Sequence, residues 1–109
     1  MEIGAERNAV RQKRMRGVIL KLVRQGHEAQ FSRMDDLEVW AMLQKLGHSV
    51  GRDQVLTLLQ DLEVLDYLSF KDEMDDMSGR ILIKQIELTA TGLRFVTSGR
   101  SNEDVLFYR

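Results

Sequence analysis

The chain has 109 residues, 43% of them hydrophobic and 30% charged, a size that suits one domain and an apolar content too high for a disordered chain. Cysteine is absent, which excludes disulfide staples, thiolate nucleophiles and zinc sites built on cysteine. The balance of 16 Lys and Arg against 17 Asp and Glu gives a net charge of −1, so no overall basic character announces a nucleic-acid partner.

The start, MEIGAERNAVRQKR, carries no apolar signal segment, and no run of about 18 apolar residues follows, so the cytoplasm is the expected compartment and no membrane partner is expected. Met15, Val18, Ile19, Leu22 and Val23 recur at the spacing of a helix with one buried face, which predicts a first helix over residues 6–25 stopped by Gly26. After the polar stretch GHEAQFSRM, Asp35 and Asp36 suit a helix start, and Leu37, Trp40, Leu43 and Leu46 predict the inner side of a second helix ending at Gly47. His48, Ser49 and Val50 form a short turn with Ser49 placed to cap. Val55, Leu58, Leu59, Leu62 and Leu65 then define a third amphipathic helix over residues 50–65.

From Tyr67 to Lys71 the pattern alternates, and after DEMDDMSG the run Arg80 to Leu88 is rich in β-branched residues, which predicts a β-hairpin. Thr89 caps a last short helix, ATGLRFVTSG, whose Leu93 and Val96 are expected to return to the core. The tail SNEDVLFYR holds Val105, Leu106, Phe107 and Tyr108, a cluster expected to dock on the body or on a second subunit. Leu37, Trp40 and Leu43 are expected core residues, and Met15, Met34 and Met42 gap fillers.

The expected fold class is therefore mainly α with a small β-hairpin: a three-helix core, a two-stranded wing and a short C-terminal helix, in the order of a winged helix-turn-helix. It is read as one domain over residues 1–109, with its core at 12–98, a basic helix start and an apolar tail at 103–109. The stretch LGHSVGRDQVLTLLQDLEVLDYLSF resembles the helix-turn-helix and first wing strand of winged-helix transcription factors of the ArsR, MarR and PadR kind. LTATGLRFV is similar to the L-T-x-x-G element that closes many such domains. More narrowly, LGHSVGRDQVLTLLQDLE with IELTATGLRFVTSGR resembles a small winged-helix protein of Mu-like transposable phages and prophages. The resemblance spans roughly residues 12–100 and implies a fold more firmly than a task.

In a helix-turn-helix the second helix of the pair enters the major groove while neighbouring elements hold phosphates. With the leucines turned inward, the third helix presents Asp53, Thr57, Gln60 and Val64, flanked by Arg52 and Leu56. Arg52 can donate to guanine or phosphate, Gln60 can pair with adenine, and Thr57 can touch either. His48 and Ser49 lie at the turn, where backbone N–H groups meet phosphate. Arg7, Arg11 and Arg14 share a helical face within a window that also holds Lys13 and Arg16 and no acid. The same residues would also serve as the solvated faces of amphipathic helices.

Residues 1–33 carry a charge of +5, residues 34–79 carry −8, and the wing tip concentrates Asp72, Glu73, Asp75 and Asp76. That tip repels a phosphate backbone, with Arg80 and Lys84 compensating in part, and it suits a basic protein partner or a mobile loop. His27 and His48 are the sole histidines, no Walker A, G-x-S-x-G or G-x-G-x-x-G run occurs, and the acidic tip lacks the register of a calcium loop. No enzyme, metal or cofactor is expected. The reading is a DNA-binding transcriptional regulator of phage or prophage type, a homodimer through the first helix or the tail, contacting double-stranded DNA. The competing reading is a protein-interaction adaptor on the same scaffold, presenting its acidic wing.

Overall fold

A computed structural model describes residues 3–28 and 33–107. They form four helices and one antiparallel hairpin: α1 (Ile3–Glu28), α2 (Asp36–Lys45), α3 (Arg52–Val64), β1 (Leu68–Met74), β2 (Ile81–Leu88) and α4 (Ala90–Ser98). The mainly helical class with a small hairpin follows the sequence reading.

α1 is longer than its periodicity implied. At 1.5 Å per residue its 26 residues span about 39 Å, close to the molecule's longest extent of 42 Å. Gly26 does not stop it: the backbone there stays out of the left-handed region, Gly26 faces the Met34 sulfur, and an Arg24–Glu28 ion pair at 2.9 Å supports the last turn. Its C-terminal half is the central element of the core. Met15, Ile19, Leu20, Leu22 and Val23 are buried there against α3, β2 and α4. Residues 4–11 are exposed throughout, so the first turns of α1 carry no core contact.

Asp35 caps α2 by accepting from the Glu38 N–H at 2.7 Å. The inner face of α2 is Val39 and Leu43, with Trp40 half-buried; Leu37, Leu46 and Met42 are exposed, which corrects their expected place in the core. The phase is set by Trp40, whose indole N–H donates to the Val50 carbonyl at 2.9 Å, a bond that Gln44 Nε2 duplicates at 3.2 Å. These two donors pin the connection to α3 across the turn at Gly47, whose φ of +90° is open to glycine. α3 starts at Gly51 with no side-chain cap, so Ser49 is not the cap expected of it. Val55, Leu58, Leu59 and Leu62 are buried as predicted.

β1 and β2 pair antiparallel, with a bulge where the register shifts between Ser69 and Lys71. Gln85, opposite this shift, is the extra residue and adopts φ +54°. Beside the bulge the Ile86 N–H donates to the Met34 carbonyl at 3.0 Å, so the segment before α2 adds a one-residue bridge to the sheet that the pattern did not disclose. Thr89 caps α4 through the Gly92 N–H. Val96 is buried while Leu93 is exposed, because Phe95 and not Leu93 turns toward the body, stacked on Tyr67 at 4.5 Å.

The tail docks on its own body. Val105 is fully buried, the Leu106 N–H donates to the Lys13 carbonyl at 3.1 Å, and Phe107 lies 5.1 Å from Phe95. It crosses α1 at Gly17, where any side chain would overlap the Leu106 carbonyl oxygen. Tyr108, the last apolar residue of the expected cluster, lies outside the described residues. No helix among the described residues is long and apolar enough to cross a membrane.

Candidate nucleic-acid interface

Of the residues singled out from the sequence, Arg11, Ser49, Arg52, Asp53 and Arg80 meet around the start of α3, whereas Arg7 and Arg14 lie farther along α1 and Lys84 lies in the hairpin. Asp53, Thr57 and Gln60 form its exposed side, and the Asp53 side chain is 96% exposed. Thr57 Oγ1 donates to the Asp53 carbonyl at 3.2 Å, one turn back. Val64 completes this side at the far end and is exposed as expected.

Two arginines from distant parts of the chain close on the same end. From α1, Arg11 donates a guanidinium N–H to the Ser49 carbonyl in the turn before α3. From the first residue before β2, Arg80 approaches Asp53 Oδ1 at 3.7 Å. Arg52, the first residue of α3, is half-buried between them in sequence, and its Nε is enclosed without a hydrogen-bond partner. Among the described residues no ion pair takes up its charge. His48 is half-buried in the turn and Ser49 is exposed.

The wing is less basic in effect than in composition. Lys84 Nζ bonds Glu73 Oε2 across the hairpin at 2.9 Å, and this carboxylate holds the ammonium above the usual lysine value by hydrogen bond and charge. Arg80 is drawn toward Asp53. The turn itself is organised by an acid: Asp75 accepts from the Ser78 hydroxyl at 2.6 Å and from the Met77 N–H at 3.3 Å, and both donors hold its carboxyl below the usual carboxylate value. Of the two cations expected to compensate the acidic tip in part, Lys84 does so by pairing with Glu73 of the tip, a pairing set by the hairpin register, whereas Arg80 turns to Asp53 of α3.

Arg7, Arg11 and Arg14 lie along one side of the overhanging part of α1, with Arg7 and Arg11 exposed and Arg14 half-buried. Arg16, deeper in α1, is a structural cation: it bonds Asp61 Oδ2 of α3 at 3.0 Å and the Asp104 carbonyl of the tail at 2.9 Å. This three-way link fixes α1 relative to α3, and sequence reasoning missed it because its partners lie 45 and 88 residues away. Among the described residues no group of three His, Asp or Glu side chains is placed to hold a metal ion. Compared with models of protein families, with curated proteins and with solved structures, the chain has no match.

Proposed function

We propose that the protein is a winged-helix DNA-binding protein, a transcriptional regulator of phage or prophage type, in which α3 reads base edges. The observation that carries this reading is the gathering of Arg11, Arg52 and Arg80, from three separate elements, around the exposed start of α3. The order of elements supports it as well. Residues 46–51 connect α2 to α3 tightly, and a hairpin and a closing helix follow. In this reading Arg52, Thr57 and Gln60 meet bases, with Asp53 beside them, and His48, Ser49 and the arginines of α1 meet phosphates.

The test is fluorescence anisotropy of the protein on a mixed-sequence 30-base-pair duplex, titrated across salt. With Arg7 and Arg11 each neutralising a phosphate, the slope of log K against log salt is expected near −1.8 per protomer, at about −0.9 per phosphate. Arg11→Gln is expected to flatten the slope by about 0.9, whereas Lys84→Ala leaves it unchanged because Glu73 already holds that charge. Absence of binding at low salt, or an Arg52→Glu variant that binds as tightly as the parent, would overturn the reading.

One observation favours a second reading, that of a protein-interaction adaptor. Met74 and Met77 stand exposed among the acids of the hairpin tip, a composition suited to a basic protein surface and unsuited to phosphate.

A further inference from the structure

The exposed stripe of α3 runs Asp53, Thr57, Gln60 and Val64, spaced four, three and four residues apart, and it holds one acid and no cation. An acid on a side that is to approach phosphates repels them, so Asp53 lowers the general attraction of this helix for a nucleic acid. In the first turn it also favours the helix dipole, a use that does not call for a neighbouring cation. Arg80 supplies one all the same, reaching from the residue before β2 to set its Nη2 3.7 Å from Asp53 Oδ1. That separation is longer than a hydrogen bond, and among the described residues the carboxylate accepts none. Its charge is thus partly balanced while its lone pairs stay open, at a side chain that is 96% exposed.

A carboxylate only accepts, and that restricts the base it can meet. In the major groove guanine presents the acceptors N7 and O6, and thymine presents the acceptor O4 beside a methyl group. Adenine presents its N6 amino donor next to the acceptor N7, which repels a second acceptor. Cytosine alone presents an amino donor, N4, with no acceptor beside it. We infer that Asp53 is a specificity determinant that selects cytosine at one position of a bound duplex, an inference that rests on the DNA-binding reading. Arg80 is its positioning residue. It limits the swing of the carboxylate and offsets the repulsion between that carboxylate and nearby phosphates. Thr57 and Gln60, one and two turns further along α3, meet other positions.

Selection from a pool of duplexes with 30 randomised base pairs, using the full chain, tests it, followed by anisotropy on the enriched duplex and its single-base variants. The parent is expected to enrich a site with a fixed cytosine, and exchange of that cytosine for thymine is expected to weaken binding about tenfold. Asp53→Ala is expected to accept the four bases equally at that position alone and to bind mixed-sequence duplex more tightly than the parent. Asp53→Asn is expected to move the preference from cytosine to adenine, because an amide both accepts from N6 and donates to N7. Arg80→Ala is expected to lower the cytosine-to-thymine ratio, whereas a merely structural role would weaken all sites alike and would overturn its part. Circular dichroism of each variant checks that the helices remain. A parent that binds no duplex would overturn the DNA-binding reading and this inference together. A parent that binds duplex without enriching any sequence, or Asp53 variants that keep the cytosine, would overturn the inference and leave DNA binding standing.

Discussion

Gly17→Ala is the substitution whose outcome turns on how the tail is held. In an isolated helix the change would stabilise by about 1 kcal/mol, since glycine is the poorer helix former. Here the new methyl would overlap the Leu106 carbonyl oxygen and press on its carbon and on the Phe107 ring. The oxygen is backbone, so no rotamer change relieves the overlap, and overpacking of this kind costs about 1–3 kcal/mol. The upper limit is set by release of the tail, which would expose fully buried Val105 and break the Leu106 N–H to Lys13 bond and the Arg16 to Asp104 bond. After the helix gain is subtracted, a net loss of up to about 2 kcal/mol is expected, a fall in Tm of roughly 5–10 °C for a domain of this size. Thermal unfolding followed by circular dichroism reads it. The mechanism itself is tested by Val105→Ala, which should cost about 2 kcal/mol in the parent and clearly less in the Gly17→Ala background, because the valine is then already displaced. A Gly17→Ala protein with raised Tm, or strict additivity of the two changes, would refute the docked tail.

Two other changes probe the hairpin. Gln85 occupies the left-handed region at the bulge, so Gln85→Gly is expected to stabilise by about 0.5–1 kcal/mol and Gln85→Val to destabilise, as read by urea unfolding; a less stable glycine variant would mean that the Gln85 side chain matters more than its backbone. At the turn, Asp75 is held below its ordinary value, so its contribution to stability is present above the unfolded carboxylate value of about 3.9 and is lost as pH falls through the lower folded value. Ser78→Ala removes the principal donor and is expected to raise the Asp75 pKa, measurable by NMR titration of its carboxyl carbon, and an unmoved titration would place the cause elsewhere.

Elements with one buried side were legible from the sequence, and elements with two were not. In α3 the leucine and valine spacing gave the inner face directly, because its opposite side meets solvent. In α1 the same rule found Met15, Ile19, Leu22 and Val23 and passed over Leu20, which is equally buried, because the tail and α4 cover a second side and blur the period. In the second helix Trp40 and Leu43 of the expected row do pack on the core, but Leu37 and Leu46 at its ends do not. Val39 packs inward while Leu37 stays out, a choice settled by the Trp40 bond to Val50 on the far side of a turn. The docked tail was visible as an apolar cluster, but its seat was not. A glycine in the middle of a long amphipathic helix was the available signal, since its helix penalty implies a close neighbour.

The pairing of charges bears on the proposed interface more than their number does. Arg16, Arg24, Arg33, Arg80 and Lys84 each stand within 4 Å of a carboxylate, and all five pairs involve α3, the hairpin or the body of α1. What extends past the core is the start of α1, where Arg7 and Arg11 are exposed and, among the described residues, Glu6 is the one acid in the first turn. In the DNA-binding reading this shifts the phosphate grip from the wing to the other flank of α3, since a hairpin tip bearing Asp72, Glu73, Asp75 and Asp76 repels a backbone that α1 attracts. The duplex would then be steered toward α1 by the same field that keeps it off the hairpin. Removing the tip acids should therefore tighten non-specific binding, while removing the arginines of α1 weakens it, with α3 unchanged in both cases.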